Sequence, residues 1–199
     1  KKMTDNKKIT ELNENNLLEN NKMNIIDFAK LHNINWFPIK LTLEPTNEEK
    51  FGEVIINKTL DIVNEYGCRP KYTELSNRQL CLERQELFKD KVFTHIWLDT
   101  SQIHHIDMDA PNKKMDKIFN DKKVPFFKSA TKSYGRHYFV KSQTSFEFKN
   151  CKYKMKKIDD DGNVIEEKDV DIDFLCGQGS YVDVKTDVIN ANGGFFVDN

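Results

Sequence analysis

The first ninety residues alternate apolar and polar positions mainly at helical spacing. Asn24 precedes an apolar set at residues 25, 28, 29 and 31, and asparagine is a good helix cap, so a helix is predicted over residues 24–31. Two segments with capping-box spacing predict further amphipathic helices over residues 46–66 and 76–88. Gly67 supplies the stop of the first of these. Residues 35–41 predict a strand, and Pro38 favours an edge position or a bulge.

The pattern becomes strand-like after residue 90. Short runs rich in β-branched and aromatic residues predict strands at 92–98, 103–108, 137–140, 145–148, 181–184 and 195–197. Residues 153–158 and 164–174 flank the sequence Asp-Asp-Asp-Gly-Asn, which predicts a hairpin turn. Helices followed by strands indicate an α+β fold with a largely antiparallel sheet.

The same pattern predicts a single domain over residues 24–199. We expect an N-terminal lobe at about 24–90 and a sheet-rich lobe at about 91–199. Residues 1–23 are rich in Asn, Lys and Glu with few apolar anchors, which is typical of a loosely ordered leader.

Composition narrows the class of protein. Of 199 residues, 38% are hydrophobic and 32% charged, and no apolar run approaches the roughly 20 residues that span a bilayer. An intracellular or virion-enclosed protein without membrane attachment is therefore expected. The four cysteines have no metal-binding spacing, so free thiols are favoured over a zinc site made of Cys68, Cys81, His104 and His105.

The net charge of −1 conceals a strong asymmetry. Residues 112–157 contain fourteen lysine or arginine residues and three acidic residues, whereas residues 158–173 contain eight acidic residues and one lysine. A basic region beside an acidic one suits a site that binds a polyanion and uses metal ions. Two solvated faces of a hairpin are the alternative interpretation of the same pattern.

Candidate chemistry begins with Asp107 and Asp109, which stand two residues apart on a predicted strand. Residues at that spacing point to the same face, about 7 Å apart, so the two carboxylates can share divalent ions. Asp173 can complete a triad suited to Mg²⁺ or Mn²⁺, although Asp171 lies on the same face and competes for this role.

A basic loop lies between these acids in the sequence. It contains Lys132, Ser133, Arg136 and His137, and Gly135 permits close approach of the backbone to a ligand. Hydroxyl groups and cations in such a loop can bind a triphosphate.

These three segments, in this order, resemble the three motifs of the archaeo-eukaryotic primase superfamily. They are His-Ile-Asp-Met-Asp at 105–109, Ser-Tyr-Gly-Arg-His at 133–137 and the segment from Asp173 to Tyr181. The closest resemblance is to the primase-polymerase branch, which is fused to helicases in large DNA viruses and plasmids. Tyr134 departs from this pattern, because the family has glycine there.

The resemblance implies the archaeo-eukaryotic primase fold, with an N-terminal lobe packed on an RRM-like sheet. It also implies template-directed nucleotidyl transfer with two Mg²⁺ or Mn²⁺ ions held by Asp107, Asp109 and Asp173. Lys132, Ser133, Arg136 and His137 would bind the incoming nucleotide, and Lys185 is a further candidate for its triphosphate. The implied partners are single-stranded DNA template, primer, NTPs or dNTPs and a helicase, at a viral or plasmid replication site in the host cytoplasm or nucleus.

Two other functions fit parts of the sequence. Asp173, Asp183 and Lys185 resemble the acidic and lysine pattern of restriction-type nucleases. A non-catalytic module for single-stranded nucleic acid could instead present Tyr138, Phe139, Phe146 and Phe148 as stacking aromatic residues.

Overall fold

The computed structural model describes residues 21–50, 52–61, 71–132, 134–141 and 149–195. These residues form an α+β fold in which every strand pair is antiparallel. The helices are α1 (Ile25–Leu31), α2 (Arg78–Leu87) and α3 (Lys113–Asp121). The strands are β1 (Lys22–Asn24), β2 (Trp36–Ile39), β3 (Leu41–Lys50), β4 (Glu53–Leu60), β5 (His95–Leu98), β6 (His104–Met108), β7 (Phe126–Lys128), β8 (Arg136–Val140), β9 (Lys149–Ile158), β10 (Val164–Leu175), β11 (Ser180–Asp183) and β12 (Asp187–Ile189).

The strands form three sheets. A seven-stranded sheet has the order β1-β12-β7-β8-β6-β10-β9, a three-stranded sheet has the order β11-β5-β2, and β3 and β4 form a separate hairpin. Strand β2 comes from the predicted N-terminal lobe and pairs with β5 from the predicted sheet-rich lobe. The two parts of the chain therefore share one small sheet, in which β2 has the edge position that Pro38 favours.

Hydrophobic side chains fill both faces of the large sheet. On one face, α3 covers a cluster that includes Phe119, Tyr138 and Ile172. On the other face, α1 and the three-stranded sheet cover a cluster that includes Phe28 and Phe139. A third cluster, which contains Phe37 and Trp97, packs α2 against the outer face of the small sheet.

Two predicted helices are confirmed. The Asn24 side chain accepts a hydrogen bond from the backbone N–H of Ile26 at 2.9 Å and begins α1 as predicted. Helix α2 begins one residue later than predicted, because Asn77 and not Ser76 caps it by accepting from the N–H of Leu80 at 3.1 Å.

The helix predicted over residues 46–66 is wrong as far as residue 60, because residues 41–60 form the β3–β4 hairpin instead. The remainder of that helix, at 62–66, and its stop at Gly67 lie outside the described residues. The Thr46 hydroxyl does accept from the N–H of Glu48 at 3.2 Å, but it does so at a bulge between Pro45 and Glu49 and not at a helix cap. The β-branched run at 54–56 favours extended backbone. Gly52 allows the turn with its positive φ of 74°.

The predicted strands of the second half are largely confirmed as β5, β6, β8, β9, β10 and β11. Helix α3 and strands β7 and β12 were not predicted from the sequence, and Lys22 and Met23 of β1 fall in the predicted leader. The predicted strand at 145–148, most of the one at 195–197 and residues 1–20 lie outside the described residues. No helix among the described residues is long and apolar enough to cross a membrane.

Candidate active site

Three neighbouring strands bring the predicted acidic residues and His137 together. Asp107 of β6 lies directly opposite Asp173 of β10 on one side and His137 of β8 on the other. Directly opposite residues in an antiparallel sheet point to the same face, with Cβ atoms about 5 Å apart. The three side chains therefore form one row across the sheet, which we call the carboxylate row.

A second pair of acids lies beside this row. Asp109 and Asp171 are each two residues from a member of the carboxylate row, so their side chains share its face. The pairing of β6 with β10 ends at Ile172 and Met108, so Asp109 and Asp171 lie just past its last pair. Of the two candidates for the third ligand, Asp173 is the direct neighbour of Asp107, and its charge contributes to the raised pKa of Asp107.

The His137 ring is fixed between an aromatic ring and an acid. It stacks on Phe127 with ring centroids 4.4 Å apart and planes 6° apart. Its Nδ1 lies 3.5 Å from Asp107 Oδ1, and neither buried atom has a hydrogen-bond partner among the described residues. Burial lowers the pKa of His137 to about 4, against the attraction of Asp109. The imidazole is therefore neutral near pH 7.

Asp107 lies in an environment that opposes its negative charge. Burial raises its pKa to about 7, and the charges of Asp109 and Asp173 add to this effect, while Lys132 opposes it. Its buried Oδ1 has no hydrogen-bond partner in the described part of the chain. A divalent cation would relieve both the unfavourable negative charge and the missing hydrogen bond, because it carries positive charge and would take this oxygen as a ligand.

The outer carboxylates are bound by neighbouring donors. Lys132 donates to Asp109, and the side-chain amide of Asn150 donates to Asp173. As placed, the described residues include no group of three or more His, Cys, Asp or Glu side chains that could hold a metal ion. The chemistry of the donor set still fits a hard cation, since carboxylate oxygens on one face are the ligands that Mg²⁺ and Mn²⁺ prefer.

The basic loop is held close to the carboxylate row. The backbone N–H of Ser129 donates to the carbonyl of Gly135 at 2.8 Å. A Cβ at Gly135 would lie 2.6 Å from the Cβ of Ser129, so this close approach requires glycine. Lys132, which is predicted to bind the nucleotide, forms an ion pair with Asp109 from this loop, and Ser133 lies outside the described residues.

Arg136 is not at the site, in contrast to the sequence prediction. Neighbouring residues on a strand point to opposite faces, so Arg136 projects to the α3 side of the sheet when His137 faces the acids. Its Nη1 donates to the Tyr138 hydroxyl at 3.0 Å and lies 3.5 Å from Asp116 Oδ1. Its guanidinium also lies over the rings of Phe126 and Tyr134. In this position the guanidinium of Arg136 contacts α3 through Asp116.

Tyr134 has a role in the same contacts. Its hydroxyl donates to the Asp116 carboxylate at 2.7 Å, which fixes the loop to α3. The residue that departs from the family motif thus attaches the loop to the far face of the sheet.

Lys185 is exposed and lies beyond the loop. It lines a cavity of about 490 Å³ with Lys22, Lys128 and Asp187. Asp183 and the Ser129–Ala130 segment separate this cavity from the one that contains His137, and they line both.

The residues of the alternative functions lie in several parts of the fold. Asp173 belongs to the large sheet and Asp183 to the small one, where Asp183 lines the same cavity as His137. Tyr138 and Phe139 are fully buried and cannot stack on bases. Phe146 and Phe148 lie outside the described residues.

The zinc ligands weighed from the sequence do not converge. His104 and His105 are consecutive on β6 and face opposite sides of the sheet. Cys81 is a buried free thiol on α2, and burial raises its pKa to about 12. Cys68 lies outside the described residues.

Three residues near the site were missed by the sequence analysis. Phe127 and Asn150 become visible only from strand register, which the sequence does not reveal. Lys58 stands on β4 and lines the cavity next to His137. The β-branched residues around Lys58 indicate a strand, but the capping-box spacing at residues 46–49 favoured a helix over the same segment.

Comparison of this chain with protein-family models, with curated proteins and with solved structures finds no match.

Proposed function

We propose that this chain is a metal-dependent nucleotidyl transferase of the primase-polymerase type, with the archaeo-eukaryotic primase fold. One observation carries the proposal: Asp107, Asp173 and His137 occupy directly opposite positions on three neighbouring strands, with Asp109 beside them. The three motifs that are distant in the sequence therefore meet on one face of one sheet.

The carboxylates would hold two Mg²⁺ or Mn²⁺ ions. When bound, such ions activate a 3′-hydroxyl and neutralise the charge of the triphosphate and its leaving group. Asp107 would contribute the buried oxygen that lacks a hydrogen-bond partner among the described residues, and Asp109 and Asp173 the more exposed ones.

The other residues of the site position the substrates. Neutral His137, fixed by its stack on Phe127, can donate one hydrogen bond to a phosphate or sugar oxygen without competing for the cations. Lys132 can leave Asp109 for a phosphate once cations neutralise the acids.

Primer extension tests this function. Wild-type protein, a primed single-stranded template, NTPs or dNTPs and Mg²⁺ or Mn²⁺ should give extended products. Asp107→Asn and Asp109→Asn should each lower the rate by about a thousandfold or more, since each removes charge stabilisation at the reacting phosphate.

Asp121→Asn is the matched control, because Asp121 is an exposed acid that pairs with Lys117 on α3, across the sheet from the site. It should retain wild-type extension. Undiminished extension in both site variants, or cleavage of template without nucleotide incorporation by the wild type, would contradict the proposal.

A further inference from the structure

The β3–β4 hairpin places a lysine beside the candidate site. Lys58 lines a small cavity of about 70 Å³ together with His137, Lys128 and Ser129. It also lines a second cavity of about 300 Å³ with Thr131 and Lys132. Lys58 and Thr131 are common to both cavities, so the hairpin and the basic loop form two sides of one continuous cleft.

Lys58 is exposed on β4, and its positive charge acts on two groups of the site, although Asp183 lines the small cavity and Glu53 the larger one. Burial dominates the pKa shifts of Asp107 and His137, and the positive charge of Lys58 contributes to both. Lys132 is bound to Asp109, whereas Lys58 forms no ion pair with any residue that the structure describes. A lysine in a cleft without a carboxylate partner is suited to bind an anionic ligand.

The walls of the cleft favour a compact polyphosphate. Lys58, Lys128 and Lys132 converge on it from the hairpin, from β7 and from the loop, and Ser129 and Thr131 supply hydroxyl groups. The small cavity is bounded by residues from all three sheets, which suits a group of a few atoms better than a nucleic-acid backbone that must pass through. Its His137 wall belongs to the carboxylate row.

We propose that Lys58 is a substrate-binding residue that contacts the phosphates of the incoming nucleoside triphosphate from the side opposite the basic loop. This inference rests on the proposed nucleotidyl transfer and adds a residue from outside the three sequence motifs. The hairpin, which is a sheet of its own, thus supplies part of the nucleotide site.

The test compares Lys58→Ala, Lys58→Met and Lys58→Arg with wild type in two assays. Equilibrium binding uses a fluorescent nucleoside triphosphate and the matching monophosphate, in Mg²⁺ and without primer. Steady-state extension gives KM for nucleotide and kcat, and a separate titration gives Kd for single-stranded DNA. Lys58→Met keeps most of the side-chain length, so it separates loss of charge from loss of packing.

Loss of the charge should weaken triphosphate binding and raise KM by about tenfold, the effect of one charged contact. Monophosphate binding, kcat and Kd for DNA should change by less than about twofold, and Lys58→Arg should restore most of the affinity. Lys40→Ala is the control, because Lys40 is exposed just before β3 and lines neither cavity.

The outcomes separate this inference from the proposed function. Wild-type protein that neither binds triphosphate nor extends primer refutes the proposed function. Wild-type activity with unchanged KM in Lys58→Met refutes only the role of Lys58. Weakened DNA binding with unchanged KM would assign Lys58 to the template. A shifted pH profile with unchanged KM would show that Lys58 acts only through Asp107. Either result overturns the inference.

Discussion

At the scale of single residues, Asp107 is an acidic side chain whose surroundings destabilise its ionised form. It is largely buried between two other acids, and its pKa rises from an ordinary 3.8 to about 7 for that reason. Functional sites often keep such destabilised groups, because the ligand that relieves them is the one that the site binds.

Replacing this carboxylate should stabilise the cation-free protein. Asp107 binds its proton more tightly in the folded state than in the unfolded one, so the folded state loses stability as pH rises from about 4 to about 7. Asp107→Asn removes this loss. In EDTA at pH 8, we expect the free energy of unfolding of Asp107→Asn to be on the order of 2 kcal/mol higher than that of wild type. A pKa shift corresponds to about 1.4 kcal/mol per unit, and the expected gain is smaller than this conversion gives because the side chain is partly solvated.

Denaturant unfolding of both proteins at pH 8 and pH 4.5 measures this difference. The gain should be much smaller at the lower pH, where the folded carboxyl is protonated and only the partial ionisation of the unfolded chain still separates the two proteins. An inactive Asp107→Asn protein that is less stable than wild type at pH 8 would show that Asp107 supports the fold and would weaken its assignment to the site.

The sequence was sufficient to select the acidic residues and His137, and insufficient for their neighbours. Strand periodicity alone puts Asp107 and Asp109 on one face. Arg136 was wrongly predicted to face the acidic residues, because the face of the sheet on which it lies depends on whether β8 begins before or after it. The sequence of a basic loop contains no signal for that boundary. Asp171 and Asp173 could not be ranked without the register of β10 against β6.

At the scale of elements, α3 shows how the far face of the sheet supports the site. Asp116 in its first turn accepts hydrogen bonds from the hydroxyls of Tyr134 and Tyr138, both at 2.7 Å, and lies near Arg136. The carboxylate thus joins the helix, the loop that holds Lys132 and the strand that holds His137. The sequence analysis missed this helix, because it lies in a lysine-rich stretch where charge obscures the apolar positions.

Loss of the Asp116 charge should destabilise the fold. Asp116→Asn leaves the half-buried Arg136 without its counter-ion and weakens the tyrosine hydrogen bonds. We expect a loss of about 2 kcal/mol in denaturant unfolding, less than the 3–5 kcal/mol typical of fully buried pairs. Asp121→Asn, which breaks an exposed pair on the same helix, should cost under about 0.5 kcal/mol.

Asp116→Asn and Asp121→Asn also distinguish a role in stabilising the fold from a role in binding the nucleotide. Because Asp116 lies on the face opposite the carboxylate row, its loss should leave KM for nucleotide near the wild-type value at temperatures where the variant is folded. A large rise in KM with little change in stability would be inconsistent with this division between the two faces.

The error over residues 46–60 has a physical origin. Thr46 and Glu49 have the spacing of a helix cap. From sequence alone, this signal for a helix is as strong as the signal for a strand that the β-branched residues give. In the fold, Leu60 pairs with Leu41 across the hairpin and packs against the buried cluster of Ile39, Leu41 and Trp97. Tertiary packing overrides local propensity here.

At the scale of the whole molecule, burial of histidines dominates the expected response to acid. Burial lowers the pKa values of His32, His95, His105 and His137 below their ordinary 6.5. His105 is nearly inaccessible, and its ring lies edge-on to Phe139 with centroids 4.7 Å apart. Neither of its ring nitrogens has a hydrogen-bond partner among the described residues.

The protein should therefore lose stability as pH falls below about 6.5, where the unfolded chain binds protons that the folded histidines exclude. Asp107 acts in the opposite direction over the same range, so the decline in Tm between pH 7.5 and pH 5 should be steeper in Asp107→Asn than in wild type. His105→Phe keeps an aromatic ring against Phe139 but removes the titrating group, and it should flatten the decline. Thermal unfolding of the three proteins across this range measures both effects. An unchanged slope in His105→Phe would mean that His105 binds its proton equally well in the folded and unfolded states, which its burial among aromatic rings opposes.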